Sequence, residues 1–155
     1  GDREHSVTHS GDLVAVAVAR TPVGVDVEQL DGRARPLGGE GDPQALARLV
    51  LADSERAALA AVRPSARARE FLLAWTRKEA VTKATGDGLR ASFTDVIVAG
   101  ARGAPRLVSW PYPQAPESVS LIDLEVDDGY VAALAVIGRC DSVRARDGSA
   151  LLAAA

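Results

Sequence analysis

The sequence predicts an α+β domain in which an antiparallel sheet packs against one long central helix. Residues 71–84 combine good helix formers without any proline, and Gly86 follows the predicted end. Short apolar, β-branched runs lie on both sides of this helix and are bounded by turn residues. A chain of 155 residues can form one such domain with its own core. We expect the domain to span residues 1–138 and residues 139–155 to form a flexible tail.

Two strands are predicted before the helix and four after it. Leu13–Ala19 and residues 23–28 are interrupted only by Thr21-Pro22, so we expect them to form an antiparallel hairpin. Ser10-Gly11-Asp12 has the composition of a turn. The remaining predicted elements are helices at 43–52 and 53–62, a mobile loop at 29–42, strands at 93–99, 106–110, 119–126 and 130–137, and a turn at 127–129.

Composition excludes several classes of protein. The net charge of −3 argues against a nucleic-acid partner, which would require a basic excess. No apolar run approaches the roughly 18 residues of a membrane span, and no signal peptide is visible. The single cysteine, Cys140, suits a reducing cytoplasm. Because the sequence contains no methionine, we expect it to be a processed piece or part of a larger chain.

Two acidic residues share one face of a predicted strand. Asp26 and Glu28 are two positions apart, which places their side chains on the same side about 7 Å from each other. A solvated outer face is the simplest interpretation. However, aspartate is depleted in strands, and two neighbouring carboxylates raise each other's pKa unless a cation lies between them. A metal pair therefore remains open, and oxygen ligands would favour Mg²⁺.

The central helix carries an unusual stripe. Leu72, Trp75, Glu79 and Lys83 are spaced so that they lie near one line along the helix. An exposed Glu79–Lys83 pair, worth about 0.2–0.5 kcal/mol, would explain the two charges. A half-buried Glu79 would instead need a partner or a cation, because burying an unpaired charge costs several kcal/mol. Glu55, in the first turn of the preceding helix, is most simply a residue that complements the helix dipole.

Three motifs follow each other in a distinctive order. They are Thr8-His9-Ser10-Gly11-Asp12, then Val23-Gly24-Val25-Asp26-Val27-Glu28, then Trp75-Thr76-Arg77-Lys78-Glu79-Ala80 with Lys83 and Gly86-Asp87-Gly88-Leu89 behind it. Together they resemble the 4′-phosphopantetheinyl transferase superfamily, and specifically the C-terminal half of its larger, surfactin-synthetase-activating type. The resemblance implies one half of a pseudo-dimeric fold.

The resemblance also implies a reaction and its metal. Members of the family transfer 4′-phosphopantetheine from coenzyme A to a serine of an acyl or peptidyl carrier protein, in fatty acid, polyketide or nonribosomal peptide biosynthesis. By position, Asp26, Glu28 and Glu79 match the carboxylates that hold Mg²⁺ in the family. Glu79 would thereby also take part in catalysis, together with Lys83.

Further site residues are implied in the same way. Thr8 and His9 match a pair that contacts coenzyme A, with Thr8 standing where relatives often have serine. Lys83 and Lys78 match lysines near the phosphates of coenzyme A. Glu55 falls near the position of a candidate general base.

Family architecture implies a further polypeptide partner. We expect either a complementing N-terminal half or a second copy of the chain beside the acidic cluster. A non-catalytic fragment that binds Mg²⁺ and coenzyme A, or an interaction module with solvated acids, are the alternative functions. The arginines of residues 63–69 are interpreted either as a solvated face or as a docking surface for an acidic carrier.

Overall fold

The computed structural model describes residues 2–30, 43–86, 92–99 and 104–149. Its strands are β1 (Glu4–Ser10), β2 (Leu13–Ala19), β3 (Val23–Gln29), β4 (Ile97–Ala99), β5 (Arg106–Ser109), β6 (Val119–Leu124) and β7 (Tyr130–Ile137). Its α-helices are α1 (Pro43–Val50), α2 (Asp53–Ala60) and α3 (Arg67–Thr85). The predicted α+β class, with antiparallel sheets and one long helix, is confirmed.

A three-stranded antiparallel sheet in the order β3-β7-β6 supports α3. The helix ends where Gly86 adopts a left-handed conformation with a φ of 74°, as its position in the sequence predicted. Gly24 of β3 faces the helix, and a Cβ atom there would collide with the carbonyl oxygen of Ala80. Glycine therefore allows the backbones of β3 and α3 to come into direct contact.

The helix is buried around most of its circumference. Towards its N-terminal end, Phe71, Leu72 and Trp75 pack with Val50 and Leu51 at the end of α1. In its second half, small side chains pack against the central sheet and the β4–β5 hairpin; the buried residues of this cluster include Ala80, Val81, Ala84, Val96, Val98, Leu107, Ala133 and Ala135. Such a helix shows little separation of polar and apolar faces, because apolar neighbours surround it.

The predicted β2–β3 hairpin is wrong. β2 pairs with β1, from Glu4 opposite Ala19 to Ser10 opposite Leu13, while β3 pairs with β7. Gly11, with a φ of 55°, allows the tight turn between β1 and β2. β1 was not predicted from the sequence because its alternation of polar and apolar residues is reversed: the hydroxyl-bearing Ser6 and Thr8 are buried and Val7 is exposed.

The β1–β2 hairpin covers the free edge of β3. The amide N–H groups of Val25 and Gln29 donate to the hydroxyl oxygens of Ser6 and Ser10, each over 3.1 Å. Three alanines of β2 meanwhile pack on the sheet face opposite α3; they are Ala15, Ala17 and Ala19. Side-chain hydroxyls thus replace the backbone ladder that a further strand would provide at this edge.

Boundaries differ from prediction mainly before β4. The strand expected at 93–99 is reduced to Ile97–Ala99, because residues 92–95 form a turn in which Asp95 N–H donates to the Ser92 carbonyl. Residues 31–42 of the predicted loop, and Asp87-Gly88-Leu89 of the third motif, lie outside the described residues.

Within the part of the chain that is described, no helix is long and apolar enough to cross a membrane.

Candidate active site

Four charged side chains lie near one another between β3 and α3, and Lys83 contacts Asp26 directly. The alternation of β3 directs Asp26 and Glu28 to the side of the sheet that carries the helix, and α3 presents Glu79 and Lys83 there. Electrostatic coupling links Asp26 with both glutamates. The structure therefore brings together the strand acids and the helix stripe that the sequence singled out. We call these four residues the acidic cluster.

Asp26 is the most buried member of the acidic cluster. Its Oδ1 atom accepts hydrogen bonds from Lys83 Nζ at 2.7 Å and Thr8 Oγ1 at 3.0 Å. Its Oδ2 atom is buried and has no hydrogen-bond partner. Burial raises the pKa of Asp26 above its ordinary value, although Lys83 and Thr8 counteract this effect. A buried, unpaired carboxylate oxygen marks a position suited to a further cation.

The two glutamates are half-buried and also carry raised pKa values. Burial is the main cause for Glu28, repulsion from Asp26 adds to it, and hydrogen bonds from Ser10 and Trp75 oppose it. For Glu79, burial again raises the pKa most, followed by repulsion from Asp26, while the Lys83 charge lowers it.

Lys83 does not form the simple surface pair with Glu79. Its ammonium group lies 2.7 Å from Asp26 Oδ1 and 3.2 Å from the Val25 carbonyl oxygen, so it crosses from helix to strand. One lysine faces three carboxylates, which leaves the acidic cluster with an excess of negative charge at neutral pH. That excess accounts for the mutual repulsion that raises the pKa values of both glutamates.

Carboxylate oxygens are the donors that Mg²⁺ prefers, and the unpartnered Asp26 Oδ2 supplies one of them. Among the described residues, no three His, Cys, Asp or Glu side chains already converge as a metal cluster. Mg²⁺ commonly completes its coordination with water and substrate phosphates rather than with a full set of protein ligands. The donor chemistry of the acidic cluster therefore fits the ion.

Glu55 and Lys78 form a separate buried pair. Lys78 Nζ donates to Glu55 Oε2 at 2.6 Å and to the carbonyl oxygens of Val50 and Phe93 at 2.9 and 2.8 Å. Glu55 also accepts from the amides of Ala52 and Val98. The Lys78 side chain is 0 % exposed, and burial lowers its pKa against the influence of Glu55. The structure does not place this pair with the acidic cluster.

Thr8 and His9 point in opposite directions from β1. Thr8 is buried and donates to Asp26, whereas His9 is exposed on the outer side of the hairpin. Strand alternation and the cross-strand register place His9 beside Val14 and on the same side as Val7 and Val16. We call this outer side of the hairpin, with His5, Val7, His9, Val14, Val16 and Val18, the valine face.

Two residues of the site were missed at the level of sequence. Ser10 Oγ donates to Glu28 Oε2 at 3.2 Å, and the Trp75 side chain is near enough to the same carboxyl group to lower its pKa. The spacing of Ser6, Thr8 and Ser10 at every second position would have revealed a hydroxyl-bearing strand face, had β1 been recognised.

The predicted docking arginines are only partly available. Arg67 donates from Nε to the Val62 carbonyl oxygen at 2.8 Å and from Nη2 to the Ala60 carbonyl oxygen at 2.9 Å, which satisfies the C-terminal end of α2. Arg63 and Arg69 are exposed. A charged surface for a partner at this place would therefore depend on Arg63 and Arg69.

Comparisons with known proteins agree on one family. The model of the 4′-phosphopantetheinyl transferase superfamily matches residues 22–135. The chain is 33 % identical over 134 residues to the 4′-phosphopantetheinyl transferase HetI of Nostoc sp.; the match covers 86 % of this chain and 51 % of HetI. The chain thus spans about half the length of this curated relative.

Two solved structures share the fold and some sequence. Holo-[acyl-carrier-protein] synthase (AcpS) of Thermotoga maritima superposes with a TM-score of 0.55 at 28 % identity, covering 77 % of this chain and 64 % of that one. The ACPS–CoA complex of Chronobacterium ammoniagenes superposes with a TM-score of 0.54 at 25 % identity, covering 73 % and 93 %. The second structure shows that a protein of this fold binds coenzyme A.

Proposed function

The chain belongs to the 4′-phosphopantetheinyl transferase superfamily, and from this premise we propose that it transfers 4′-phosphopantetheine from coenzyme A to a serine of an acyl or peptidyl carrier protein. The observation that carries the proposal is the acidic cluster, in which Asp26 Oδ2 lies buried without a partner beside two further carboxylates. A phosphoryl-transfer site needs such a concentration of carboxylates to bind a divalent cation with its substrate.

We assign Asp26, Glu28 and Glu79 as the residues that would hold Mg²⁺. When bound, the ion neutralises charge on the diphosphate of coenzyme A. In the reaction, the serine oxygen forms a bond to the phosphorus that carries pantetheine. The bond from that phosphorus to the bridging oxygen breaks, and adenosine 3′,5′-bisphosphate leaves with the bonding electrons.

Lys83 and the glutamates would assist this transfer. Lys83 is 29 % exposed, so its ammonium group can contact a phosphate that enters beside Asp26. The serine proton would pass to a carboxylate oxygen of the acidic cluster that does not bind the ion.

We assign the Glu55–Lys78 pair a positioning role instead of a place in the chemistry. Both carboxylate oxygens of Glu55 accept hydrogen bonds, and Lys78 donates to three oxygens in the interior. The pair links α1, α2 and the segment before β4 to the centre of α3. It therefore stabilises the helix immediately beside Glu79.

The valine face supports the proposal of a complementing polypeptide, but it lies on the opposite side of β1 from the acidic cluster that we expected the contact to border. Val7, Val14, Val16 and Val18 are each at least 55 % exposed, and they lie side by side with His9. Apolar patches of this kind commonly contact another chain. A complementing N-terminal half or a second copy on this face would place His9 at the contact, where it could reach a phosphate of coenzyme A.

The proposed substrates indicate the location. Coenzyme A and carrier proteins are intracellular, and the single free Cys140 suits a reducing cytoplasm. The pathway that the carrier serves, whether it makes fatty acids, polyketides or nonribosomal peptides, depends on which carrier binds.

Intact-mass measurement of an apo carrier protein tests the proposal. The chain, coenzyme A and Mg²⁺ should together add one phosphopantetheine group to the carrier, and EDTA should prevent the addition. Sedimentation of the chain, with a coenzyme A titration, tests for the complementing copy. If the carrier is never modified, also when a candidate complementing half is supplied as a second polypeptide, the transferase proposal is wrong.

One alternative is a chain that binds Mg²⁺ and coenzyme A without turnover, since among the described residues no three acidic side chains converge as a metal cluster. The mass of the carrier distinguishes these two functions, and calorimetry distinguishes both from a chain that binds nothing: a fragment would bind Mg²⁺ with coenzyme A while leaving the carrier unmodified. The absence of any binding would point to the third possibility, an interaction module.

A further inference from the structure

The strand β1 contacts the acidic cluster through side-chain hydroxyls. β1 and β3 belong to different sheets, so no backbone ladder joins them. Ser6, Thr8 and Ser10, at alternate positions on one side of β1, instead reach β3. Since a hydroxyl both donates and accepts, each can serve a neighbouring amide or a neighbouring carboxylate.

These three hydroxyls divide into two kinds. Ser6 accepts the Val25 N–H over 3.1 Å and, among the described residues, makes no hydrogen bond to a carboxylate. Thr8 donates to Asp26 Oδ1 over 3.0 Å, and Ser10 donates to Glu28 Oε2 over 3.2 Å while accepting the Gln29 N–H. Hydrogen bonding to the edge of β3 accounts fully for Ser6. It does not explain why Thr8 and Ser10 each bond a carboxylate.

Each of these contacts fixes one carboxylate oxygen. At Asp26, the Thr8 and Lys83 contacts both fall on Oδ1, which fixes the rotation of the carboxylate and leaves Oδ2 free. At Glu28, Ser10 holds Oε2 in the same way. Groups that orient metal-binding carboxylates commonly change metal affinity about 10- to 100-fold when they are removed.

We propose that Thr8 and Ser10 are positioning residues that orient Asp26 and Glu28 for the divalent cation. This inference rests on the proposed function, because it presumes that the acidic cluster binds Mg²⁺. It assigns Thr8 an action through Asp26, in place of the direct contact with coenzyme A that family resemblance implied. β1 therefore contributes its inner side to the metal site and its outer side to the valine face.

Calorimetric titration with MgCl₂ alone tests the inference in the intact chain. Thr8→Val and Ser10→Ala remove one donor each, and we expect each to raise the Mg²⁺ dissociation constant about tenfold or more. Thr8→Ser and Ser10→Thr keep the hydroxyl and should restore wild-type affinity to within about twofold, by the same reasoning. The KM for Mg²⁺ should rise in the two donor-free variants without a change in the KM for the carrier.

Ser6→Ala is the matched control. It removes a hydroxyl from the same side of β1 and leaves the Val25 amide without its acceptor, so it should lower the melting temperature. We expect its Mg²⁺ affinity to equal that of the wild type. If the loss of Mg²⁺ affinity in all three donor-free variants followed their melting temperatures, the hydroxyls would be merely structural.

The remaining outcomes separate the inference from the proposed function. A wild-type chain that binds Mg²⁺ and modifies the carrier, with variants of equal Mg²⁺ affinity, would overturn the inference and leave the transferase intact. A wild-type chain that neither binds Mg²⁺ nor modifies the carrier would overturn both.

Discussion

Two adjacent residues of α3, Lys78 and Glu79, have opposite surroundings. Lys78 is enclosed with Glu55, and every one of its ammonium hydrogens has an oxygen acceptor. Glu79 belongs to the acidic cluster, where three carboxylates face Lys83 and Asp26 Oδ2 has no partner. The Lys78–Glu55 pair is fully hydrogen-bonded within the protein, whereas the acidic cluster retains a carboxylate oxygen without a partner.

This difference teaches how to separate structural from functional charges. A buried ion pair with complete hydrogen bonding has no capacity left for a ligand, so its contribution is to the fold. A cluster with raised pKa values and an unpaired oxygen keeps that capacity, at a cost in stability. Adjacent positions of α3 thus carry a structural charge, Lys78, and a candidate functional charge, Glu79.

Removing the charge of Lys78 should produce the largest loss of stability. Lys78→Met leaves Glu55 buried without its cation, and breaking such a pair costs about 3–5 kcal/mol in the free energy of unfolding. Urea denaturation measures the change. Arg139→Met is the control, because its pair with Asp141 is exposed and is worth at most about 1 kcal/mol. Equal losses in the two variants would contradict the assignment of Glu55–Lys78 as a structural pair.

Neutralising Glu79 should instead affect turnover. We expect Glu79→Gln to slow phosphopantetheine transfer by about 100-fold or more, which corresponds to roughly 2.7 kcal/mol of lost transition-state stabilisation. The free energy of unfolding should not fall, because the substitution relieves repulsion from Asp26. Glu70→Gln, near the start of the same helix, is the control. Wild-type turnover in Glu79→Gln would remove Glu79 from the site.

The acidic cluster should make stability depend on pH and Mg²⁺. Raised native pKa values mean that the folded chain holds protons more tightly than the unfolded one, whose carboxyl groups titrate near their ordinary 3.8 and 4.5. The favourable contribution is therefore complete below about pH 4 and is lost as pH rises through the native pKa values. Without Mg²⁺, thermal melting should show this loss.

Mg²⁺ should reverse that loss above the native pKa values and have little effect below pH 4. At a concentration 100 times the dissociation constant, it would add about 2.7 kcal/mol of stability. NaCl without divalent ions, at equal ionic strength, controls for the screening of the carboxylate charges by salt. A stabilisation by Mg²⁺ that is the same at pH 4 and pH 7.5 would contradict binding to these carboxylates.

Charge reversal at the exposed arginines should have the smallest effect. Arg63→Glu combined with Arg69→Glu should slow association with an acidic carrier a few-fold and flatten its salt dependence, because peripheral charges act mainly on encounter. Arg67→Glu should lower the stability of α2 as well, since its guanidinium bonds the Ala60 and Val62 carbonyls. An association rate that is unchanged at low salt in the double variant would exclude this surface as the docking site.

Local sequence patterns predicted the parts of the fold that depend on local chemistry. The extent of β7, the glycine end of α3 and the shared face of Asp26 and Glu28 follow from periodicity and turn residues. The pairing of β1 with β2 did not follow, because Ser6 and Thr8 are buried against β3 while valines lie outside, which reverses the usual pattern.

The candidate site, like the fold, was predictable from the sequence only in part. The stripe with Trp75, Glu79 and Lys83 identified unusual helix charges, but only the family resemblance implied that they share one site with the strand acids. The burial of Lys78 with Glu55 could not be inferred, because it depends on α1, α2 and the turn at Phe93 converging on one ammonium group. Contacts between elements distant in sequence leave no local periodicity.

Calorimetric titration of Mg²⁺ with coenzyme A into the wild type, Glu79→Gln and Glu55→Gln tests most directly whether the incomplete cluster is the functional one. Our account predicts that Glu79→Gln weakens binding at least about tenfold. It also predicts that folded Glu55→Gln binds like the wild type, although its free energy of unfolding is lower. Wild-type affinity in Glu79→Gln, together with lost binding in folded Glu55→Gln, would contradict the account.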